Sequence, residues 1–320
     1  MSESHFLWPQ GSAVRAISRS FRLDSATSVE ARLASMFHGG HPVLCSSGRS
    51  AIVLALIGSG LSRADSVHVF PYASHCVLDA VSRIATPSAG SATAQARVRI
   101  LFHQWGYVQR HEVQADDIED CADTLAVPGC KLFPRGGAFE IWSLPKILGT
   151  MGGGVLWCKS PEVADRIRYV RDARRGATMQ WILRLLARTS PILHAWWQGG
   201  EGVCGRVSRL QTGEIVAALG EWTAIVADRQ QKVELAWPLA PSWLSRSAER
   251  LPCAVPALVD VGPELVDELG LTAGMRTMEK VEENGKRTLV KLLPIPIHQD
   301  VSLVWLRRVL ARIAKQVAHR

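Results

Sequence analysis

The sequence has no apolar run long enough to cross a bilayer. The longest, Ala51 to Ile57 before Gly58, falls far short of the roughly 20 residues a spanning helix needs, so no transmembrane helix is expected. The opening MSESHFLWPQ lacks the basic start and apolar stretch of a secretory leader, and a cytoplasmic location is expected. Paired cysteines are missing too. The seven, at 45, 76, 121, 130, 158, 204 and 253, are scattered and show no CxxC spacing, which argues against a disulfide framework or a zinc site and for reduced, mostly buried thiols. There is no internal repeat, and the one low-complexity stretch, ATPSAGSATAQA at 85–96, reads as an exposed loop.

What is present suits a soluble globular protein. A chain of 320 residues that is 47% hydrophobic can bury one sizeable core with room for a second, smaller one. Lysine and arginine number 37 against 29 acids, a net charge of +8, which favours anionic partners. The basic residues are dispersed and no nucleic-acid reader motif accompanies them, so nucleic acid is not an expected partner. The segment RYVRDARRGATMQWILRLLARTSPILHAWW, 168–197, is rich in Arg and Trp. A dimer interface is the favoured reading of it over peripheral membrane contact.

From residue 42 the pattern alternates. HPVLCSS is strand-like, GRSAIVLALIGSGL helical, SVHVF strand-like, HCVLDAVSRIA helical and RVRILFH strand-like. This βαβαβ order predicts an α/β fold, a mostly parallel sheet sandwiched by helices, with ligands at the carboxyl ends of the strands. The crossover between ILFHQWG and IEDCAD is too short for a full helix. SPEVADRIRYVRDARR reads as a helix opened by Ser-Pro. RLQTGEIVAALGEWTAIVADRQQKVELAW reads as one long amphipathic helix joining two parts. The last 80 or so residues read as a smaller α/β domain, with RTLVKLLPI a strand and DVSLVWLRRVLARIAKQ a terminal helix. The expected division is 1–213 and 214–320.

Three features fall at strand ends. In CSSGRSAI a strand passes through small residues into a helix whose first amides, beside Gly48, form an anion site; a plain serine cap explains the same residues equally well. In IEDCAD, Asp120 stands among small residues where a carboxylate can hold a protonated ring nitrogen or a metal, or can simply cap. In FEIWSLPKILGTMGGGVLW, Lys146 lies in an apolar turn, where lost solvation favours nucleophilic use.

In this order and spacing the segments resemble the DegT/StrS family of pyridoxal 5'-phosphate (PLP) sugar aminotransferases. SSGRSAIVLAL is similar to the family's S-G-T-A-A-L-x-L-A-L, VFPYASHCVLDAV to V-P-A-Y-T-x-x-A-T-x-x-A-V, and LFHQWG to P-V-H-x-x-G. IEDCAD resembles I-E-D-A-A-Q, FEIWSLPKILGTMGGGVLW resembles F-S-F-x-x-x-K-x-x-x-x-G-E-G-G, and GRVSRLQTGEI resembles Y-R-M-S-x-x-Q-A-A. The resemblance implies the PLP-dependent transferase fold type I and PLP as cofactor. Lys146 would bond to the cofactor and move the substrate proton. Asp120 would pair with the ring nitrogen. Gly48, Arg49 and Ser143 would hold the phosphate, and His75, or with less support Tyr72, would stack on the ring. The three glycines after Lys146 would let its turn pack beside the cofactor and a neighbouring subunit.

The implied activity is amino transfer from an amino acid, glutamate foremost, to a nucleotide-linked keto-sugar. It implies a homodimer with shared active sites, working in amino-sugar or polysaccharide biosynthesis. Sugar dehydration is disfavoured, since family members of that kind carry histidine in place of the lysine. A catalytically silent PLP-fold partner is the other alternative, because Asp123 stands where the family has glutamine and the Ser143-to-Lys146 loop is short.

Overall fold

The computed structural model describes residues 4–22, 24–89, 96–187, 189–282 and 285–318. Helices α1 (Ala13–Ser20) and α2 (Ala26–Met36) lead into β1 (His41–Cys45) and α3 (Gly48–Gly58). Each of these helices starts at a serine whose side chain takes an otherwise orphaned amide, Ser12 from Arg15, Ser25 from Ser28 and Ser47 from Ser50. Then follow β2 (Ser66–His68), α4 (His75–Ser82), β3 (Thr86–Ser88), β4 (Val98–Phe102), β5 (Ile118–Asp120), β6 (Thr124–Ala126) and β7 (Phe139–Ser143). The chain continues through α5 (Leu144–Leu148), β8 (Gly154–Cys158), α6 (Pro161–Ala173), α7 (Thr178–Leu186), α8 (Pro191–Gly200), α9 (Arg209–Leu219) and α10 (Trp222–Ala236). It ends with β9 (Arg250–Pro252), β10 (Ala254–Ala257), α11 (Pro263–Glu268), β11 (Arg276–Val281), β12 (Arg287–Pro296) and α12 (Leu303–Ala318).

Seven strands form the main sheet in the order β1-β8-β7-β5-β4-β2-β3. Only β8 runs against its neighbours; β7, β5, β4, β2 and β3 pair in parallel. The carboxyl ends of β1, β4, β5 and β7 therefore lie on one edge. Both faces are covered, so alternate residues enter different cores. Val43, Cys45, Ile141, Leu156 and Cys158 pack with α3, α4 and α6. Leu44, Trp142, Val155 and Trp157 pack with α2, α9 and α10 around Phe37 and Trp222.

A second sheet, β10-β12-β11, is antiparallel and packs on α11, α12 and the end of α10 through Val233, Ala236, Leu265, Ile295 and Leu306. Leu7 near the start of the chain packs with Cys253, Ala254, Met278 and Leu292, so the opening residues join the part expected at 214–320. The expected long helix is two. α9 ends at Gly220, whose N–H is shared between the carbonyls of Val216 and Ala217, and α10 restarts at Trp222. Packing explains the break: α9 is buried along most of its length, and α10 alone runs from the large core to the second one. No helix spans the crossover between β4 and β5. Part of the low-complexity stretch forms β3 at the sheet edge, and its residues 90–95 lie outside the described residues. Among the described residues no helix is long and apolar enough to cross a membrane.

Candidate active site at the carboxyl edge of the main sheet

Two successive acids end β5, and strand alternation sends them to opposite sides. Glu119 accepts the amides of Arg135 (2.9 Å) and Gly137 (2.8 Å) and meets His103 Nε2 at 2.7 Å. His103 Nδ1 accepts the Gln109 amide at 3.1 Å, which assigns the ring proton to Nε2, so both nitrogens of this buried imidazole are committed to structure. Asp120 turns the other way and is 3% exposed. Its Oδ1 accepts the Ala122 amide at 3.0 Å, and no described donor bonds Oδ2. Burial pushes its carboxyl up, against the opposing pull of the Lys146 ammonium, the Ala122 amide and His103.

Lys146 is carried by α5, a single short turn that starts directly at the end of β7 with Pro145 in its first turn and stops at left-handed Gly149 (φ 72°). Its Nζ lies 4.5 Å from the centroid of the Trp8 ring, a cation–π contact that no local sequence pattern signals. Asp123 is 1% exposed and senses the same ammonium. Burial raises its carboxyl to about 6, Lys146 opposes this and Asp120 adds to it. The ammonium of Lys146 thus acts on both Asp120 and Asp123, and Cys253 and fully buried Arg229 are coupled to Asp123.

The start of α3 lies against the end of β7. A Cβ on Gly48 would stand 3.3 Å from Ser143 Cβ, and the Ser143 hydroxyl caps nothing. The first amides of α3 have no intrahelical acceptor, as at any helix start. Gly48 and Ser143 therefore bring free donors together. The guanidinium of Arg49 points elsewhere, donating to Gln198 O (2.7 Å) and Cys76 Sγ (3.1 Å) and facing Glu201 (3.5 Å). His75 is exposed at the start of α4 and is not among the groups acting on Asp120 or Asp123. The hydroxyl of Tyr72 accepts the Glu279 amide at 3.3 Å, and burial, then Glu279, then Asp123 push its phenol up, the Glu279 amide opposing.

The three glycines have neighbours within their own chain. A Cβ on Gly152 would meet Gln211 Nε2 at 2.2 Å, one on Gly153 (φ +98°) would meet Ile215 Cδ1 at 2.7 Å, and one on Gly154 would meet Ser47 C and O at 2.5 Å. They let the strand after Lys146 lie directly on α9 and on the β1–α3 junction.

Compared with known proteins, residues 29–209, over half the chain, match a family model described as "Putative PLP-dependent aminotransferase". No curated protein matches. Among solved structures, the aminotransferase TlmJ from Streptoalloteichus hindustanus superposes with a TM-score of 0.67 at 16% identity, covering 99% of both chains. A DegT DnrJ EryC1 StrS aminotransferase from Brucella abortus gives 0.63 at 14% identity, over 95% of this chain and 94% of that one. DesI, crystallised in the presence of its TDP-sugar product, gives 0.64 at 14% identity, over 98% of this chain and 92% of that one. At these identities the structures establish the fold, and the family match establishes the class of enzyme. The chain belongs to the PLP-dependent aminotransferases.

Proposed function

We propose that this aminotransferase moves an amino group from an amino acid, glutamate foremost, to a nucleotide-linked keto-sugar. The observation that carries the reading is buried Asp120 within the electrostatic reach of Lys146, with Gly48 and Ser143 presenting donors at a neighbouring strand end. The likeness of fold to DesI, whose structure was determined with a TDP-sugar product, supports the sugar acceptor, and the +8 charge suits a nucleotide diphosphate.

The donor set fits PLP. The Asp120 side chain, 3% exposed and with no described donor to Oδ2, matches a protonated ring nitrogen; the free α3 amides at Gly48 and Arg49, with the Ser143 hydroxyl, match a phosphate. Arg49 would contribute through its backbone, since its side chain is held by Gln198 and Glu201. For the ring face, Tyr72 has better support than His75, because it is largely buried and its phenol feels the charge of Asp123, whereas His75 is exposed. When bound, PLP supplies an aldehyde that takes up a lysine amine and a ring that accepts electrons. Lys146 Nζ would hold it, then accept and return the α-proton of the amino donor. Asp120, ionised in a dry setting, would keep the ring nitrogen charged.

A cytoplasmic homodimer is part of the proposal. α8 buries none of its residues and packs on α7; Ile192 and Trp196 of α8, each 64% exposed, and exposed Met179 of α7 leave an apolar surface suited to a second copy. Amino-sugar or polysaccharide biosynthesis would be the setting. The test is to load the protein with PLP and screen keto-sugar nucleotides with L-glutamate for amine formation. Amine formation that is lost in Lys146→Ala, together with the visible absorption of lysine-bound PLP, is expected. Bound PLP with no amination across a broad panel would refute the sugar acceptor.

A further inference from the structure

Resting on the reading of Lys146 as the cofactor lysine, we propose that Trp8 is a residue of the amino-transfer site, a cover on the free Lys146 amine that governs its reaction with an aldehyde. The amine makes no hydrogen bond or ion pair with any described residue. The contact it does make is with the face of the Trp8 ring, whose centroid lies 4.5 Å from Nζ. Trp8 is partly buried against Leu7 and the core around Cys253 and Met278, and its indole N–H is buried with no acceptor among the described residues. For packing alone that ring is a poor choice, because a phenyl ring would fill an apolar site without stranding a donor. What tryptophan adds is the aromatic face that attracts a cation best.

The loop at 298–300 pins the chain on both sides of Trp8. His298 Nε2 donates to Phe6 O at 2.9 Å, and Asp300 Oδ2 accepts the Gln10 amide at 2.8 Å. Farther back, His5 N–H donates to Gly270 O at 2.7 Å and His5 O accepts the Thr272 amide at 3.0 Å, while the His5 and Trp305 rings have centroids 3.9 Å apart. The same loop holds the turn that carries the amine. Gln299 Nε2 donates to Ile147 O at 3.3 Å, Arg229 Nη2 donates to the same oxygen at 2.8 Å, and Gln299 Oε1 accepts from Arg229 at 2.9 Å. A Cβ on Gly149, which ends α5, would stand 3.1 Å from Pro9 Cβ, so the two segments lie side by side. Residues 5–10 thus form a strap, and one loop sets both its ring and the amine beneath.

An ammonium has no free electron pair. Before the Lys146 nitrogen can bond to an aldehyde carbon it gives a proton to water; the C=N bond then forms, and the aldehyde oxygen leaves as water with the two remaining amine hydrogens. The indole face attracts the charged form and not the neutral one, and the ring bars one approach to the nitrogen. Trp8 therefore slows attack by the resting amine, and bonding to an aldehyde gives up the contact between ring and cation.

The experiment uses the full chain without PLP, as wild type, Trp8→Phe and Trp8→Leu. Each is treated with limiting acetic anhydride at one fixed pH, and acetylation of Lys146 and Lys232 is followed by peptide mass spectrometry. Lys232 is 1% exposed, with its Nζ on Asp228 at 2.6 Å and on His298 O at 3.1 Å, and reports any general opening of the fold. Lys146 acetylation is expected to rise about fivefold in Trp8→Leu and about twofold in Trp8→Phe, which keeps a weaker face, with Lys232 unchanged. Equal Lys146 rates in all three proteins would overturn the proposal. So would equal increases in the two variants, the mark of lost bulk, or a matching rise at Lys232, the mark of a loosened fold. On mixing with PLP, the visible band of lysine-bound cofactor should grow in the same order of rates, and rates indifferent to both substitutions would also overturn the proposal. Absence of that band in wild type would separately refute the reading of Lys146, whatever the acetylation shows.

Discussion

Replacing Gly154 by alanine tests whether the β8 strand and the phosphate-side helix are as tightly joined as the structure has them. The new methyl carbon would lie 2.5 Å from the carbonyl carbon and oxygen of Ser47 and 2.7 Å from the Gly48 nitrogen. All three are backbone atoms, so no rotamer change can relieve the contact. Ordinary van der Waals separation requires the β1–α3 junction to move away by about 0.9 Å, taking about 3.4 Å as the closest comfortable approach. That motion opposes the pairing of Cys45 with Gly154 and the bond from Gly153 N–H to Ser46 O at 2.8 Å. Forcing an extra carbon into a packed site costs about 3 kcal/mol at the upper end of such cases. At about 2 cal/mol/K per residue, a chain of this length loses about 5 °C in Tm. Because the displaced atoms include the Gly48 amide, PLP affinity should fall at least about tenfold as well. Calorimetry and a cofactor titration by absorbance measure the two effects. Gly199→Ala serves as the control: it lies in α8 with no heavy atom within 4 Å of a new Cβ, so neither quantity should worsen. A Gly154→Ala protein with wild-type Tm and wild-type PLP affinity would refute the close approach and, with it, the geometric reason for that glycine.

Ser143→Ala should leave stability within about 0.5 kcal/mol, since the hydroxyl has no cap bond to lose, while PLP affinity drops about fivefold to tenfold; unchanged affinity would remove Ser143 from the phosphate. Glu140 is fully buried, pairs with Arg250 at 2.7 Å and accepts the Trp142 indole N–H at 2.7 Å. Glu140→Gln strands a buried guanidinium and should cost about 3–5 kcal/mol, read from the denaturant midpoint; a loss under about 1 kcal/mol would contradict the pairing. His298 gives its Nε2 proton to Phe6 O (2.9 Å) and takes the Asp300 amide at Nδ1 (3.3 Å). Burial depresses it to about 3, the Phe6 bond opposing and Arg229, Lys232 and His5 adding to the depression. Its contribution is intact above the ordinary histidine range and lost as pH falls, by about 2 kcal/mol at pH 5. His298→Gln should flatten the acid limb of the stability profile between pH 6.5 and 5, and an unaltered limb would rule His298 out as its source.

Much of the large half was readable in the chain because local signals agreed with the global arrangement. Serine caps opened α3 and α6, the apolar runs of β1, β4 and β8 marked strands buried on both faces, and the short span before IEDCAD ruled out a crossover helix. The second half was less legible. α9 and α10 read as one helix because the helical pattern continues through Gly220 and Glu221, and only packing against two different cores separates them. Of the strands in the second sheet, β12 alone carried a recognisable run; β10 and β11 gain their definition from pairing with it.

By itself the sequence determined which residue types stand at the strand ends: a lysine in a proline-led turn, an acid after a strand, a glycine at a helix start. Those depend on local spacing, which the chain carries explicitly. The tertiary structure alone decided which of them meet. It coupled Asp120 and Asp123 to the charge of Lys146, placed Trp8 over the lysine from a distant part of the chain, left His75 in solvent and turned the Arg49 side chain to Gln198 and Glu201. The physical reason is that charge coupling and burial are set by separations in space between residues far apart in sequence, and no local pattern records them.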